Sequence, residues 1–238
     1  VRIVLIGRGR MGTLIASTAA AAGDEIVAAL GHEDLEQLKT LDRADMAIDF
    51  SRPDALPAVC EYVRRTGTPL LDGTTGYTPE QMVQLNALAE FAPVLWSANY
   101  SLGIAVFRRV LSQITGTLRP DFDIEIEETH HNQKADAPSG TAKLLLDAID
   151  PAHAMKPVYG REGNTGKRDP NEIGIHALRG GTVAGTHTVH FFGPDEELEI
   201  THRAGSRQIF VNGALHAARL LAGRPKGAYD LEKLLFGE

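Results

Sequence analysis

The chain is nearly devoid of cysteine. Cys60 stands alone in 238 residues, which excludes an internal disulfide, leaves no Cys cluster for zinc, and fits a reducing compartment. An excess of basic residues is lacking too: 24 Lys and Arg face 31 Asp and Glu, a formal net charge of −7. That balance gives no support to a nucleic-acid partner. No apolar run is long enough to span a bilayer, since the most apolar stretch, Leu14 to Ala22, is short, Ala-rich and carries Ser17 and Thr18. No cationic segment followed by an apolar run and a cleavage site opens the chain, so no export signal is expected, and Val1 in place of Met suggests a trimmed start. Repeats and low-complexity tracts are missing as well. What is present is 43% hydrophobic and 23% charged, the material of a well-cored soluble protein expected in the cytoplasm, with no membrane and no nucleic acid as partner.

The first hundred residues alternate short β-branched runs with longer amphipathic ones. Strands are expected at Val1–Ile6, Glu25–Leu30, Asp45–Phe50, Thr68–Leu71 and Pro93–Trp96. Helices are expected at Met11–Ala22 before Gly23, from Pro53 or Asp54 to Arg65 before Gly67, and from Thr78-Pro79 to Phe91. Strands alternating with helices imply right-handed crossovers and a parallel sheet covered on both faces. After residue 101 the pattern changes. A helix over Ser101–Gly116, a strand over Phe122–Glu127 and a helix from Pro138 or Ser139 to Ile149 precede a Gly-, Pro- and Asn-rich stretch, Pro151 to Pro170, that reads as a surface loop. Ile173–Leu178, Thr186–Phe192 and Leu198–His202 then read as an antiparallel meander, and Arg207–Leu221 as a helix.

Directly after the first strand, Gly7-Arg8-Gly9-Arg10-Met11-Gly12 matches G-x-G-x-x-G and opens a helix. The first glycine permits a tight turn, the second lets backbone approach a pyrophosphate, and the third lets the helix pack close to the strand. In that context a dinucleotide site outweighs a plain turn. The carboxylate expected at the end of strand two is replaced by Gly31, followed by His32 and Glu33, so the residues leave NADH and NADPH both open. Gly73-Thr74-Thr75 after strand four and Ser97-Ala98-Asn99-Tyr100 after strand five lie where a parallel sheet points its carboxyl ends, a position suited to the nicotinamide and its ribose. The fold expected is α/β, a Rossmann-like doubly wound parallel sheet joined to an α+β domain with a mainly antiparallel or mixed open sheet. Residues 1–101 with 212–238 would form the dinucleotide-binding domain, and residues 102–211 the substrate-binding and oligomerisation domain.

The densest chemistry runs from Glu127 to Ala142. His130, His131 and Lys134 leave a strand, and Pro138-Ser139-Gly140-Thr141 opens a helix whose N–H groups suit a carboxylate. Imidazole and ammonium groups beside such an anion site suit a substrate that takes a proton as well as a hydride. Adjacent histidines on a strand face opposite ways, and Glu128, His130 and His131 lack the one-face spacing of a zinc helix motif, so no metal is expected. His176, His187, His190, His202 and His216 read as structural, Arg179 as a turn residue with an anion within possible reach, and Arg161 carries no assigned role.

These segments, with Ile48-Asp49-Phe50-Ser51, Ile173 to Thr182, Ile200 to Ala204 and Phe210 to Ala214, resemble the 4-hydroxy-tetrahydrodipicolinate reductase (dihydrodipicolinate reductase) family over nearly the whole chain. The resemblance implies NADH- or NADPH-dependent reduction of a cyclic dicarboxylate, 4-hydroxy-tetrahydrodipicolinate, to tetrahydrodipicolinate in lysine and diaminopimelate synthesis. It ties His130 and Lys134 to proton donation, and His131, Lys134, Gly140 and Thr141 to the substrate carboxylates. Gly7, Arg8, Gly9, Arg10, Met11, Gly12, Gly73, Thr74, Thr75, Ser97, Ala98, Asn99 and Tyr100 would hold the cofactor, and the family generally forms homotetramers through the sheet of the second domain. Gly31 departs from the acidic residue of many relatives. Another dehydrogenase on the same plan would share the glycine turn without the His-His to Ser-Gly-Thr block, and a nucleotide-binding sensor would oxidise no NAD(P)H.

Overall fold

A computed structural model describes residues 1–237. In chain order, β1 (Arg2–Ile6), α1 (Arg10–Ala21), β2 (Glu25–Leu30), β3 (Met46–Asp49), α2 (Leu56–Thr66), β4 (Leu70–Asp72), α3 (Pro79–Asn86) and β5 (Pro93–Trp96) come first. Then follow α4 (Leu102–Leu118), β6 (Asp123–His130), α5 (Gly140–Ile149), β7 (Lys156–Tyr159), β8 (Glu172–Arg179), β9 (Thr186–Gly193) and β10 (Glu196–Arg203). The chain closes with α6 (Gln208–Leu221), β11 (Gly227–Tyr229) and α7 (Leu231–Phe236). Two compact units result: Val1–Ser101 with the chain from Gln208 onward, and Leu102–Arg207.

The first unit is a parallel sheet in the order β11-β5-β4-β3-β1-β2. Its strands are apolar on both faces, as burial between two helical layers requires. Ile3, Leu5, Ile48, Leu71 and Leu95 pack with Ile15 of α1, Val211 and Leu215 of α6 and Leu231 of α7. Val4, Ile6, Ala47, Leu70 and Val94 pack with Val59 and Tyr62 of α2 and Leu85 of α3. Local chemistry sets the helix ends. Thr78 accepts the Gln81 N–H at 3.3 Å while the Gln81 side chain accepts the Thr78 N–H at 3.0 Å, and Gly67 ends α2 in the left-handed region at φ 65°. The expected helix to Phe91 stops at Asn86 and tightens into a 3-10 turn over Ala87–Glu90. A 3-10 helix over His32–Lys39, the short β11 and α7 were not foreseen; each is too short or too polar to show a clear period.

The second unit is a sheet in the order β10-β9-β6-β8-β7, with α4 and α5 over one face. Ile124, Ile126, Ile173, Ile175, Val189 and Phe191 meet Phe107 and Leu111 of α4 and Leu145 of α5. The expected meander holds only for β9 and β10. β8 runs parallel to β6, and β6 lies between β8 and β9. The reason is the connection over residues 180–185, which crosses the end of β6 instead of turning back tightly. Gly180 N–H donates to His130 O at 2.9 Å, His131 N–H to Val183 O at 2.8 Å and Asn132 N–H to Gly181 O at 3.2 Å. The loop expected over Pro151–Pro170 contains β7, paired parallel to β8 at the sheet edge. Arg161, read as having no role, forks onto Glu125 at 2.8 Å through both terminal nitrogens, and Arg168 reaches the same carboxylate at 3.1 Å.

In the first unit, Asp49 and Asp72 end neighbouring strands in register and are both fully buried. Thr74 ties them, donating its hydroxyl to Asp49 at 3.2 Å and its N–H to Asp72 at 2.7 Å. Burial pushes the Asp49 carboxyl up to about 6 against the hydrogen bonds from Ser51 and Thr74. Burial, and then the Asp49 charge, push Asp72 well above the usual range. The unfolded chain releases the Asp49 proton near 3.8, whereas the folded chain holds it to about 6. The stabilisation is therefore full below the unfolded value and lost as pH rises through the folded one. Asp49→Asn is expected to gain stability over the parent as pH rises from 4 to 8, by up to about 3 kcal/mol. Thermal melts across that range check this, and a pH-independent gap between the two proteins would contradict it.

Candidate active site

The site residues fall into two groups, one in each unit. In the first, Gly7 follows β1 at φ +101°, and a Cβ there would lie 2.4 Å from Phe50 O. A Cβ on Gly12 would lie 1.8 Å from Gly7 O, so the third glycine lets α1 rest on the turn. Gly9 differs: nothing lies within 4 Å of its Cβ position. It is the N-cap of α1, which has no side-chain cap and no acidic residue in its first turn. Two glycines are thus demanded by the chain itself, and the remaining one leaves a positive helix end open to an anion. This arrangement fits a dinucleotide pyrophosphate.

A cavity of about 380 Å³ opens at the carboxyl ends of β1, β2 and β3, lined by Gly7, Arg8, Gly9, Gly31, His32, Glu33, Phe50, Ser51 and Arg52 among others. The order β3-β1-β2 makes this the topological switch point of the sheet. Arg10, Met11 and Gly12 do not line it; Arg10 begins α1, and Met11 packs against the core. The Arg8 guanidinium lies over Gly31, where a Cβ would come within 2.9 Å of Nη2 and 3.0 Å of Nε. Arg8 pairs with Glu33 at 3.1 Å and with Asp34, which also accepts the Gly31 N–H at 3.0 Å. Any side chain at position 31 would displace this cation.

The turns after β4 and β5 share that edge of the sheet. Thr75 is exposed there and Gly73 half-buried, with a Cβ on Gly73 falling 2.3 Å from the Phe50 ring. The Thr74 hydroxyl is taken up by Asp49 and by the Ser51 N–H at 3.1 Å. Ala98 is exposed, while Ser97 turns inward to accept the Asn99 N–H at 3.3 Å. Tyr100 is buried against Phe50 and spends its hydroxyl on Asp72 O at 2.8 Å, so its side chain braces the turn.

In the second unit, β6 alternates Ile124, Ile126, Glu128 and His130 toward the helices. His130 is 9% exposed, and its Nδ1 lies 2.5 Å from Glu128 Oε2. His131 follows outside the strand and is half-buried, with its N–H on Val183 O. Lys134 lies one turn on, its N–H donating to His131 O at 3.1 Å and its Nζ meeting Asp136 at 2.7 Å. Ser139 caps α5 by accepting the Ala142 N–H at 3.1 Å, so Gly140 and Thr141 form the first helical turn. Nothing lies within 4 Å of a Cβ built on Gly140.

The sequence assigns no site role to Glu128 or His187 and puts an anion only within possible reach of Arg179; the structure joins the three. Glu128 is fully buried; Arg179 reaches its two oxygens at 2.9 and 2.8 Å, and the Ser139 N–H reaches Oε1 at 3.0 Å. The signal was available in the alternation, since residue 128 shares the inward phase of Ile124 and Ile126. Burial alone would raise the Glu128 carboxyl, but Arg179, then His130 and Ser139, bring it below the usual range. For His130, burial lowers the imidazole below its ordinary value against the opposing pull of Glu128, and the Lys134 and Arg179 charges add to the lowering. His187 drops to about 4, first through burial and then through the His130 charge. Glu128, His130 and His187 place one potential ligand atom each within 4.8 Å of one another. The Arg179 fork already fills the cationic position against Glu128, so the donor set suits a guanidinium better than a metal.

Comparison with known proteins bears on both halves. Residues 1–100 match the family described as "Dihydrodipicolinate reductase, N-terminus", and residues 103–235 match "Dihydrodipicolinate reductase, C-terminus". A protein of Exiguobacterium named 4-hydroxy-tetrahydrodipicolinate reductase is 39% identical over 98% of this chain and 94% of its own length. One of the same name from Clostridium tetani is 41% identical over 99% and 97%, and another from Staphylococcus aureus is 41% identical over 98% and 100%. Among solved structures, a dipicolinate-bound dihydrodipicolinate reductase from Paenisporosarcina shares the fold at a TM-score of 0.78, with 24% identity and 98% of each chain covered. With both family halves matched in order and full-length relatives near 40% identity, this chain belongs to the dihydrodipicolinate reductase family, NAD(P)H-dependent oxidoreductases of lysine and diaminopimelate biosynthesis.

Proposed function

We propose that the cluster at the end of β6 and the start of α5 binds the cyclic dicarboxylate and supplies the proton for its reduction. One observation carries this reading: an imidazole oriented by a buried carboxylate stands beside a lysine and a helix N-terminus. Gly140 and Thr141 would hold one substrate carboxylate through the first-turn N–H groups of α5. His131 and Lys134 would hold the other, with Lys134 exchanging Asp136 for the ligand. The proton comes from His130 at Nε2 or from Lys134 at Nζ, the two groups that face the substrate. Dipicolinate, the ligand of the Paenisporosarcina reductase, has the chemistry expected of such a ligand.

Gly7 to Gly12, Gly73 to Thr75 and Ser97 to Tyr100 would hold NADH or NADPH, the pyrophosphate lying at Gly9 on the first turn of α1. Bound nicotinamide supplies the hydride. Arg8, which lies over Gly31 where an acidic residue would meet a ribose, would pair with a 2′-phosphate by exchanging Glu33 and Asp34 for it. We also infer a cytoplasmic homotetramer with no nucleic-acid partner. Among the described residues no helix is long and apolar enough to cross a membrane. The sheet face of the second unit away from α4 and α5 exposes Leu178 at 47% and Phe192 at 40%, which suits contact with further copies.

A coupled assay that generates the unstable substrate from pyruvate and aspartate semialdehyde tests the whole reading, and absence of NAD(P)H oxidation would overturn it. Lys134→Ala should lower kcat at least ~10²-fold while NAD(P)H binding survives; normal turnover would remove Lys134 from the mechanism. Arg8→Ala should weaken NADPH binding about tenfold and NADH binding less in a fluorescence titration, the scale of one charge-assisted hydrogen bond. Equal losses would detach Arg8 from the 2′-phosphate. Phe192→Glu should reduce the mass seen by light scattering, and an unchanged tetramer would move the interface elsewhere.

A further inference from the structure

We propose that Glu128 is a positioning residue that fixes the donor imidazole of His130 and the carboxylate-binding start of α5 with one side chain. The inference rests on the assignment of His130 and Gly140–Thr141 to the substrate. A carboxylate with no solvent exposure persists only if its charge and its lone pairs are matched. Here each oxygen takes two donors. Oε2 accepts from Arg179 Nη1 at 2.9 Å and faces His130 Nδ1 at 2.5 Å; Oε1 accepts from Arg179 Nη2 at 2.8 Å and the Ser139 N–H at 3.0 Å. Arg179 supplies the charge, and the remaining two positions do the positioning.

Toward His130, an anionic acceptor at Nδ1 demands a proton on that nitrogen. Neutral His130 therefore carries Nδ1–H, and Nε2 is the atom that takes up and releases a proton. Gly185 keeps Nε2 uncovered, since a Cβ there would come within 3.1 Å of it. Toward α5, Ser139 is gripped three ways: its N–H by Glu128, and its hydroxyl by the Ala142 N–H at 3.1 Å and His187 Nε2 at 3.0 Å. Gly140 and Thr141 follow immediately, so the amide groups offered to a carboxylate are set by the same residue that sets the imidazole. The charged and titratable groups around His130 are Glu128 on its own strand, Arg179 from β8, His187 from β9 and Lys134 beyond the strand, with His202 of β10 next to His187.

Glu128→Gln separates this role from mere support. Either amide orientation puts one N–H against the Arg179 fork, but only the imidazole can change from donor to acceptor, because the Ser139 N–H cannot. The Gln oxygen should therefore stay on Ser139 and its NH₂ should donate to His130 Nδ1, moving the neutral tautomer to Nε2–H. Histidine ¹⁵N–¹H correlation spectra of the ligand-free protein, assigned with His130→Gln, should show Nδ1–H in the parent and Nε2–H in Glu128→Gln. His130 should titrate at lower pH in the variant, kcat should fall about 10- to 100-fold, and KM and dipicolinate affinity should change less than threefold. Glu128→Ala should lose dipicolinate affinity as well. An Nε2–H tautomer in the parent overturns the proposal even if no variant folds, and so does an unchanged tautomer and pH profile in Glu128→Gln. The spectra do not depend on turnover, so an inactive parent would count against the assigned reaction alone.

Discussion

A carboxylate with no access to water, at the end of a central strand, is the constraint around which the second unit is arranged. Its cation comes from the adjacent strand β8. Arg179 pairs with His130 in the β6–β8 register, which puts its guanidinium within reach of Glu128 two residues back. An antiparallel β8 would run its carboxyl end away from the site. The parallel pairing of β6 with β8 thus brings the carboxyl ends of both strands, and with them Glu128 and Arg179, to the same end of the sheet. The same arrangement obliges the connection to β9 to cross the end of β6, where its carbonyls take the N–H groups of His131 and Asn132.

The first unit solves a different problem, close approach. Phe50, at the end of β3, has its carbonyl against Gly7 and its ring against Gly73 and Tyr100. One aromatic residue therefore requires glycine at two positions, and it holds the turns after β1 and β4 at a fixed spacing along the sheet edge. Beneath it lie Asp49 and Asp72, a pair of carboxyl groups kept out of water and braced by Thr74, Tyr77 and Ser51. The polar side chains of these turns are thus largely spent on holding the backbone in place. A ligand at this edge meets mainly amide groups, glycine and the exposed Thr75 and Ala98.

Much of this was legible in the sequence because it is local. The glycine turn, the Thr78-Pro79 helix start and the Ser139-Gly140-Thr141 opening are each written within a few neighbouring residues, and the parallel sheet follows from alternating periods. What escaped reading depends on pairing between distant segments. Nothing near Arg179 announces that it belongs to Glu128, 51 positions earlier, or near Arg161 that it belongs to Glu125, 36 positions earlier. His187 read as structural because its strand shows only alternation; its bond to Ser139 appears once β9 is known to lie beside β6. Glu128 was the exception, a charge in the inward phase of an apolar strand. That phase error is a local sign that a buried partner must exist.

The chain carries a net charge of −7, yet both of its ligands are anions. Long-range attraction therefore works against binding, and affinity has to be made at short range, where the Debye length hides the rest of the protein. The two helix starts do this in contrasting ways. Glycine caps α1 and contributes no side-chain oxygen, so on the proposed reading the first turn would take a pyrophosphate that brings its own acceptors. Serine caps α5 through the Ala142 N–H and is itself held by His187, so the turn is fixed, and on the proposed reading Gly140 and Thr141 would meet a carboxylate there. A dinucleotide is large and makes many contacts, so it tolerates an end that it must order itself. A small ring diacid makes few contacts and loses affinity with each loose one, so its amide groups have to be set in place before it arrives.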